Sequence, residues 1–231
     1  MEQTRRIPAL LLALLMLVSL TLTSCQKKEG PVAADAVAVA LFEMILKNDA
    51  SSAVELFGYA SEADARKDMG LDGNLYDEMA EEVVSQLSST GFNASSEDVQ
   101  TFIDAFISMF KDVKMTAKVK EIDEKAGTAV VTCTINTFDS NALGSAMEDA
   151  MNKIDPAVAS SGDMDAIFSA ILNAMSEAIA DLTPTENTVD FDVDFELSTL
   201  EINGKNQEAW LPKDTEAFGN AISTNAMGGG L

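Results

Sequence analysis

From Thr188 to Leu197 the chain alternates without a break. Val189, Phe191, Val193, Phe195 and Leu197 stand at one parity, and Asp190, Asp192, Asp194 and Glu196 at the other. Successive side chains of a strand point to opposite faces, so this stretch predicts a strand with one apolar and one acidic face. Its register is set as well, because a slip of one residue would bury four carboxylates. A sheet with a covered apolar face is therefore required, and the rest of the chain must supply the cover. Asn203-Gly204 then marks a tight hairpin turn, returning Lys205 to Leu211, with Trp210, as a partner strand.

A second hairpin lies upstream. Val113, Met115, Ala117 and Val119 alternate with Lys114, Thr116, Lys118 and Lys120, and the turn Asp123 to Gly127 leads back through Cys133 to about Thr137. Everything else has helical spacing. Asp35–Lys47 shows Val37, Leu41, Met44 and Ile45 on one face, and Ser51 or Ser52 caps a short helix through Phe57. Ser61 opens another helix that Gly70 stops; Asn74–Ser88 carries the stripe Leu75, Met79, Val83 and Leu87. Ser95 begins a capped helix to about Lys111, with Asp98 three residues on. Between the hairpins, Asn141–Ile154 and Asp163–Leu182 read as helices joined by a loop at 157–162, and Asp214–Ile222 closes the fold. The order predicts an α+β class: N-terminal helices packed on an antiparallel sheet of about four strands, with a helical insertion between the strand pairs. Residues 35–224 form that single domain, and 225–231, with Gly228-Gly-Gly, are expected to be a flexible tail.

The N-terminus follows a different logic. Arg5 and Arg6 precede the uncharged run Ile7–Leu22, the pattern of a secretory signal peptide. The run is too short for the roughly 18 apolar residues of a membrane-spanning helix. Leu22-Thr23-Ser24-Cys25 resembles the lipobox of bacterial lipoproteins. The resemblance implies cleavage after Ser24 and a diacylglyceryl (palmitate-bearing) group on the Cys25 thiol. An ordinary signal peptide with an incidental Cys is the alternative. Residues 25–34 then make a short tether, within roughly 30 Å of the bilayer at about 3.3 Å per residue. Lys27 and Lys28 either add attraction to an anionic surface or only keep the tether soluble.

Charge narrows the partners. Of 15 basic and 38 acidic side chains, Arg5, Arg6 and Glu2 fall in residues 1–24; the remaining 13 and 37 leave a net charge near −24. Such a surface repels phosphate backbones, so nucleic acid is excluded as a partner. Cys133 is the only other cysteine, so no intramolecular disulfide forms, and its β-branched surroundings favour a core thiol over a reactive one. The chain has no His. That removes Ser-His-Asp and Cys-His nucleophiles and His-ligated zinc.

Three patterns invite a chemical reading. Asp190-x-Asp192-x-Asp194 with Glu201 has part of a calcium-loop spacing, but Phe195 stands where a Gly is needed for the turn. An acidic strand face, partly neutralised by Lys114, Lys118 and Lys120, is the better reading, each pair contributing about 0–1 kcal/mol. Ser108-Met-Phe-Lys111 has the Ser-x-x-Lys spacing of penicillin-recognising enzymes without their Ser-Asp-Asn and Lys-Thr-Gly partners. The chain's 12 Met, among them Met79, Met115, Met147, Met151 and Met175, read as core filling, with an adaptable pocket or partner surface as the alternative. No carboxylate pair stands out, and no catalytic, cofactor or metal residue is assigned.

The helix ending Leu46-Lys47-Asn48-Asp49, the segment Ala53–Phe57, Asn203-Gly204 and Trp210 fall in an order similar to bacterial lipoproteins with an NTF2-like (cystatin-like) domain of unknown function. The likeness covers most of residues 34–222; Asn141–Leu182 departs from it. It implies a curved sheet wrapped on helices, sometimes with an apolar pocket, which would lie near Trp210, Phe191 and Phe195, and usually no catalysis. The expectation is a non-enzymatic binding module, lipid-anchored at the extracytoplasmic face of the cell membrane. Its partners would be the membrane through Cys25 and an envelope protein or small apolar ligand. The alternatives are a ligand receptor feeding a transporter, or a His-free NTF2-like enzyme using a carboxylate.

Overall fold

Four strands pair antiparallel in chain order: β1 (Met115–Asp123), β2 (Thr128–Asn136), β3 (Thr188–Ile202) and β4 (Lys205–Pro212). They belong to a computed structural model that describes residues 30–71, 80–81, 84–85, 88–89 and 95–229. Among these residues the helices number eight: α1 (Ala34–Leu46), α2 (Ser51–Phe57), α3 (Glu62–Asp68), α4 (Ser96–Met109), α5 (Ala142–Lys153), α6 (Pro156–Ala159), α7 (Met164–Ala180) and α8 (Thr215–Ala226). The α+β architecture is the one the alternation and helical periods predict. The stripe Leu75, Met79, Val83 and Leu87 lies outside the described residues, although Ala80, Glu81, Val84, Ser85, Ser88 and Ser89 around it are helical.

The strand register follows the hydrophobic pattern. Ala129, Val131, Cys133 and Ile135 of β2 stand opposite Phe195, Val193, Phe191 and Val189 of β3. Met115, Ala117 and Val119 of β1 continue the same rows. The face predicted for Val189–Leu197 is therefore the packed one, but burial along it is graded. Phe195 is 1% exposed, Phe191, Val193 and Leu197 are half-buried, and Val189 is 38% exposed. The cause is a stagger. β3 pairs with β2 over Thr188–Glu196 and with β4 over Phe195–Ile202, so only Phe195 and Glu196 have strands on both sides. The strand also runs five residues past Leu197. There burial changes parity to Ile202, 4% exposed, while the fully buried Ala209 of β4 stands opposite Ser198.

Helix α1 lies across the apolar face and touches β1, β2 and β4. Its Val37, Leu41, Phe42 and Met44 are at most 2% exposed, each contributing roughly 2–3 kcal/mol on burial. The segment before it is clamped: Val32 N–H donates to Glu208 O (2.8 Å) and Val32 O accepts from Trp210 N–H (3.1 Å), extending the sheet beyond β4 by one bridge. Helix α7 packs against both α4 and α5 beside the sheet. Val99, Ile103 and Leu172 fill their own small core together with Ala80.

Local chemistry explains most boundaries. Ser61 and Ser95 cap α3 and α4 through their hydroxyls, and Gly70 (φ 73°) ends the first of these. Asn203 (φ 53°) and Gly204 (φ 72°) make the tight turn. Several details differ from expectation. The start of α2 is held by Asp49, whose Oδ1 accepts from Ser51 N–H (2.9 Å) and Ser51 Oγ–H (2.5 Å), so neither Ser51 nor Ser52 is the cap. Residues 157–162 are not wholly loop: Asp155 caps α6, which has Pro156 in its first turn. Helix α4 stops at Met109 and tightens into a 3₁₀ turn, Phe110–Asp112, that turns Phe110 into the core. A bulge in β1 falls at Lys120, since Val119 and Glu121 pair with the adjacent Val131 and Val130. Helix α8 runs four residues past Ile222, and Met227 is 5% exposed, so the chain remains packed beyond residue 225.

Candidate functional site

The outer face of the sheet is the chemically organised surface. Alternation aims Asp190, Asp192 and Asp194 of β3 away from the helices, and β2 sets Thr134, Thr132 and Val130 opposite them. Thr134 Oγ1–H donates to Asp190 Oδ1 (2.7 Å), and Thr132 Oγ1–H to Asp192 Oδ1 (2.6 Å). Lys120 Nζ reaches across β2 to Asp192 Oδ2 at 2.5 Å. That ion pair, and then the Thr132 bond, hold the Asp192 carboxyl below the usual range, and the same contact raises the Lys120 ammonium. Asp194 faces the apolar Val130 and keeps its charge exposed.

Neutralisation by three lysines was expected here, and only Lys120 forms an ion pair with this row among the described residues. The reason is topological. β2 separates β1 from β3, a gap of about 10 Å at ~4.8 Å per strand, and the Lys120 bulge is where β1 irregularly redirects a side chain. The calcium spacing fails on parity: Glu201 is an odd position of the same continuous strand and points to the face opposite Asp190, Asp192 and Asp194. Ser108 and Lys111 are both exposed, while Met109 and Phe110 between them sit in the core at 2% exposure. Cys133 is fully buried on the inner face, where desolvation pushes its thiol up to about 12.

The space expected for a pocket is packed. Phe42, Val131, Ile135, Phe195, Phe218 and Ile222 are each at most 1% exposed between sheet and helices. Phe195 instead floors an open hollow of about 300 Å³ beside the hairpin end, with Ile122, Ala129, Asp194 and Lys213 in its walls; Trp210 does not contribute. A shallower groove of about 640 Å³ runs between α1, α2 and β1, lined by Val39, Leu56 and Ala117 with Asp35, Ser52 and Glu55. Sequence reasoning missed the half-exposed Ile122, because the bulge that displaces it carries no Gly or Pro. The methionines divide: Met44, Met109, Met115 and Met227 are core, whereas Met147, Met151 and Met164 of the insertion are 40–52% exposed.

Cys25 and residues 1–24 lie outside the described residues, and no described helix is long and apolar enough to cross a membrane. No family model matches the chain, and no curated protein matches it. Its fold is similar to a crystal structure from Bacillus subtilis, YcdA, described there as a candidate lipoprotein, at 18% identity and a TM-score of 0.54. The likeness takes in 83% of this chain and 56% of that one, so this chain spans little more than half of its neighbour, and what the two share is a fold.

Proposed function

We propose that the protein is a lipid-anchored, non-catalytic binding module on the extracytoplasmic face of a bacterial cell envelope, with Cys25 the acylated first residue after cleavage behind Ser24. The carrying observation is the spacing between Cys25 and Val32. Val32 is the first residue clamped to the sheet, by two backbone hydrogen bonds, and it stands seven positions after Cys25. At about 3.3 Å per residue the anchor would hold the domain within roughly 25 Å of the bilayer. Two acyl chains give stable attachment where one would not.

The fold likeness to a candidate lipoprotein supports this reading, and an NTF2-like ancestry fits the order of helices, hairpins and insertion. The absence of His from all 231 residues favours binding over acid–base chemistry. Held beside the bilayer, the domain gains effective concentration for membrane-associated partners. Metabolic labelling with a fatty-acid probe tests the anchor: the wild type should label and Cys25→Ala should not. An unlabelled wild type would overturn it.

A further inference from the structure

We infer that the first half of β3, Thr188–Val193, is a docking edge for an extended basic segment of a partner polypeptide, added antiparallel in line with β4. The backbone geometry comes first. Leu197 N–H donates to Gly127 O on the β2 side, and Asn187 O accepts from Thr137 N–H on that side; Asp194 O accepts from Lys213 N–H on the other. Odd residues thus spend their backbone groups on β2, and even residues turn theirs outward. β4 pairs only from Phe195 onward, so the N–H and C=O groups of Thr188, Asp190 and Asp192 face an edge with no strand on it among the described residues. Unpaired edges are templates for strand addition.

The side chains decide what can be added. The edge carries an acidic row on one face and, on the other, Val189 at 38% exposure with Phe191 and Val193 half-buried. A second copy of the same segment would set Asp against Asp. A segment alternating Lys or Arg with apolar residues would match both rows, and the net charge of −23 steers a basic partner inward. Residues opposite one another in an antiparallel pair share a face, and those turned toward the partner exchange both hydrogen bonds. The basic residues of the incoming strand, opposite Asp190 and Asp192, must therefore be the ones that bond backbone to backbone.

This deepens the binding reading and rests on it; peptide binding and lipid labelling of Cys25 are separate measurements, so the failure of either is distinguishable. The probe is a soluble peptide of about ten alternating Lys and Val residues, enough to span the edge at ~3.4 Å per residue, titrated into the full chain. It should bind in a salt-sensitive way and slow hydrogen exchange at the Asp190 and Asp192 amides. Binding should weaken about tenfold or more in Asp190→Asn/Asp192→Asn. Backbone N-methylation at the Lys positions should abolish it, while N-methylation at the Val positions should leave it intact. Absence of binding, equal binding of an alternating Glu-Val peptide, or equal tolerance of both methylations would overturn the proposal. So would a dimer of the unliganded chain with those two amides already protected, which would make a second copy the occupant.

Discussion

The rings of Phe195 and Phe218 meet edge to face, their centroids 6.3 Å apart at 72°, and this contact ties the middle of β3 to the C-terminal helix α8. Phe195 is the one β3 residue of the alternating run that is fully buried. Phe195→Ala should therefore cost about 3–5 kcal/mol. Phe191→Ala, at a half-buried position that the alternation alone ranks equally, should cost less than half as much. Chemical denaturation of the two variants checks the order, and equal losses would contradict the graded burial.

The acid limb of stability should report Asp98. Its carboxylate accepts from Ser169 Oγ–H (2.5 Å) and Asn173 Nδ2–H (3.3 Å) on α7 while its own N–H is capped by Ser95, joining α4 to α7 of the insertion. The Ser169 bond first, then Ser95, lowers its carboxyl from 3.8. A folded value below the unfolded one gives stability that is present above about pH 4 and lost as pH falls through the folded value. Melting of the wild type should decline below pH 4, with a shallower decline in Asp98→Asn, and that variant should be weaker by about 1–2 kcal/mol at neutral pH.

Cys133 should be chemically silent in the native state. With its side chain at 0% exposure and its thiol pushed up to about 12, almost no thiolate exists at pH 8. A thiol reagent should titrate no group in the folded mature domain and one in denaturant. Cys133→Ser should destabilise by about 1–3 kcal/mol through an unpaired buried hydroxyl.

Turn geometry gives a further test. Gly204 has open space where a Cβ would go, so Gly204→Ala should cost only its positive φ of 72°, about 1 kcal/mol. Gly228 has the same φ, but a Cβ there would come 2.8 Å from Phe138 O. Gly228→Ala should be clearly worse, as seen by melting, because the backbone on both sides must move.

What the amino-acid pattern revealed, and what it did not, divides by range. Period-2 and period-3.6 runs report which face of an element is apolar, so the packed rows through Cys133 and Phe195 were legible. So were caps such as Ser95 and turns such as Asn203-Gly204, whose chemistry lies within four residues. Alternation is blind to how strands are offset. Nothing in Val189–Leu197 distinguishes a strand flanked along its whole length from one flanked at two residues, and so the exposure of Val189 was not legible. The Lys120 bulge was equally hidden, as it arises from how β1 meets β2 and has no breaker residue to announce it. For the site, the acidic row was visible, but that β4 pairs with β3 only from Phe195 onward was not.

The sheet joins two local hairpins through one long-range pairing, and this bears on how the chain reaches its fold. β1–β2 and β3–β4 close through turns of a few residues, whereas Asn136 and Thr188 pair across the whole of α5, α6 and α7. Closing that interval, at about 0.6 kcal/mol per doubling of length, costs about 2 kcal/mol more than closing a four-residue turn. Both hairpins can therefore zip early and locally while their joining waits on the insertion. Packing of α7 on α4 shortens the effective loop, so the helical layer favours the joining of the hairpins: until β2 and β3 pair, their apolar rows are not continuous with each other.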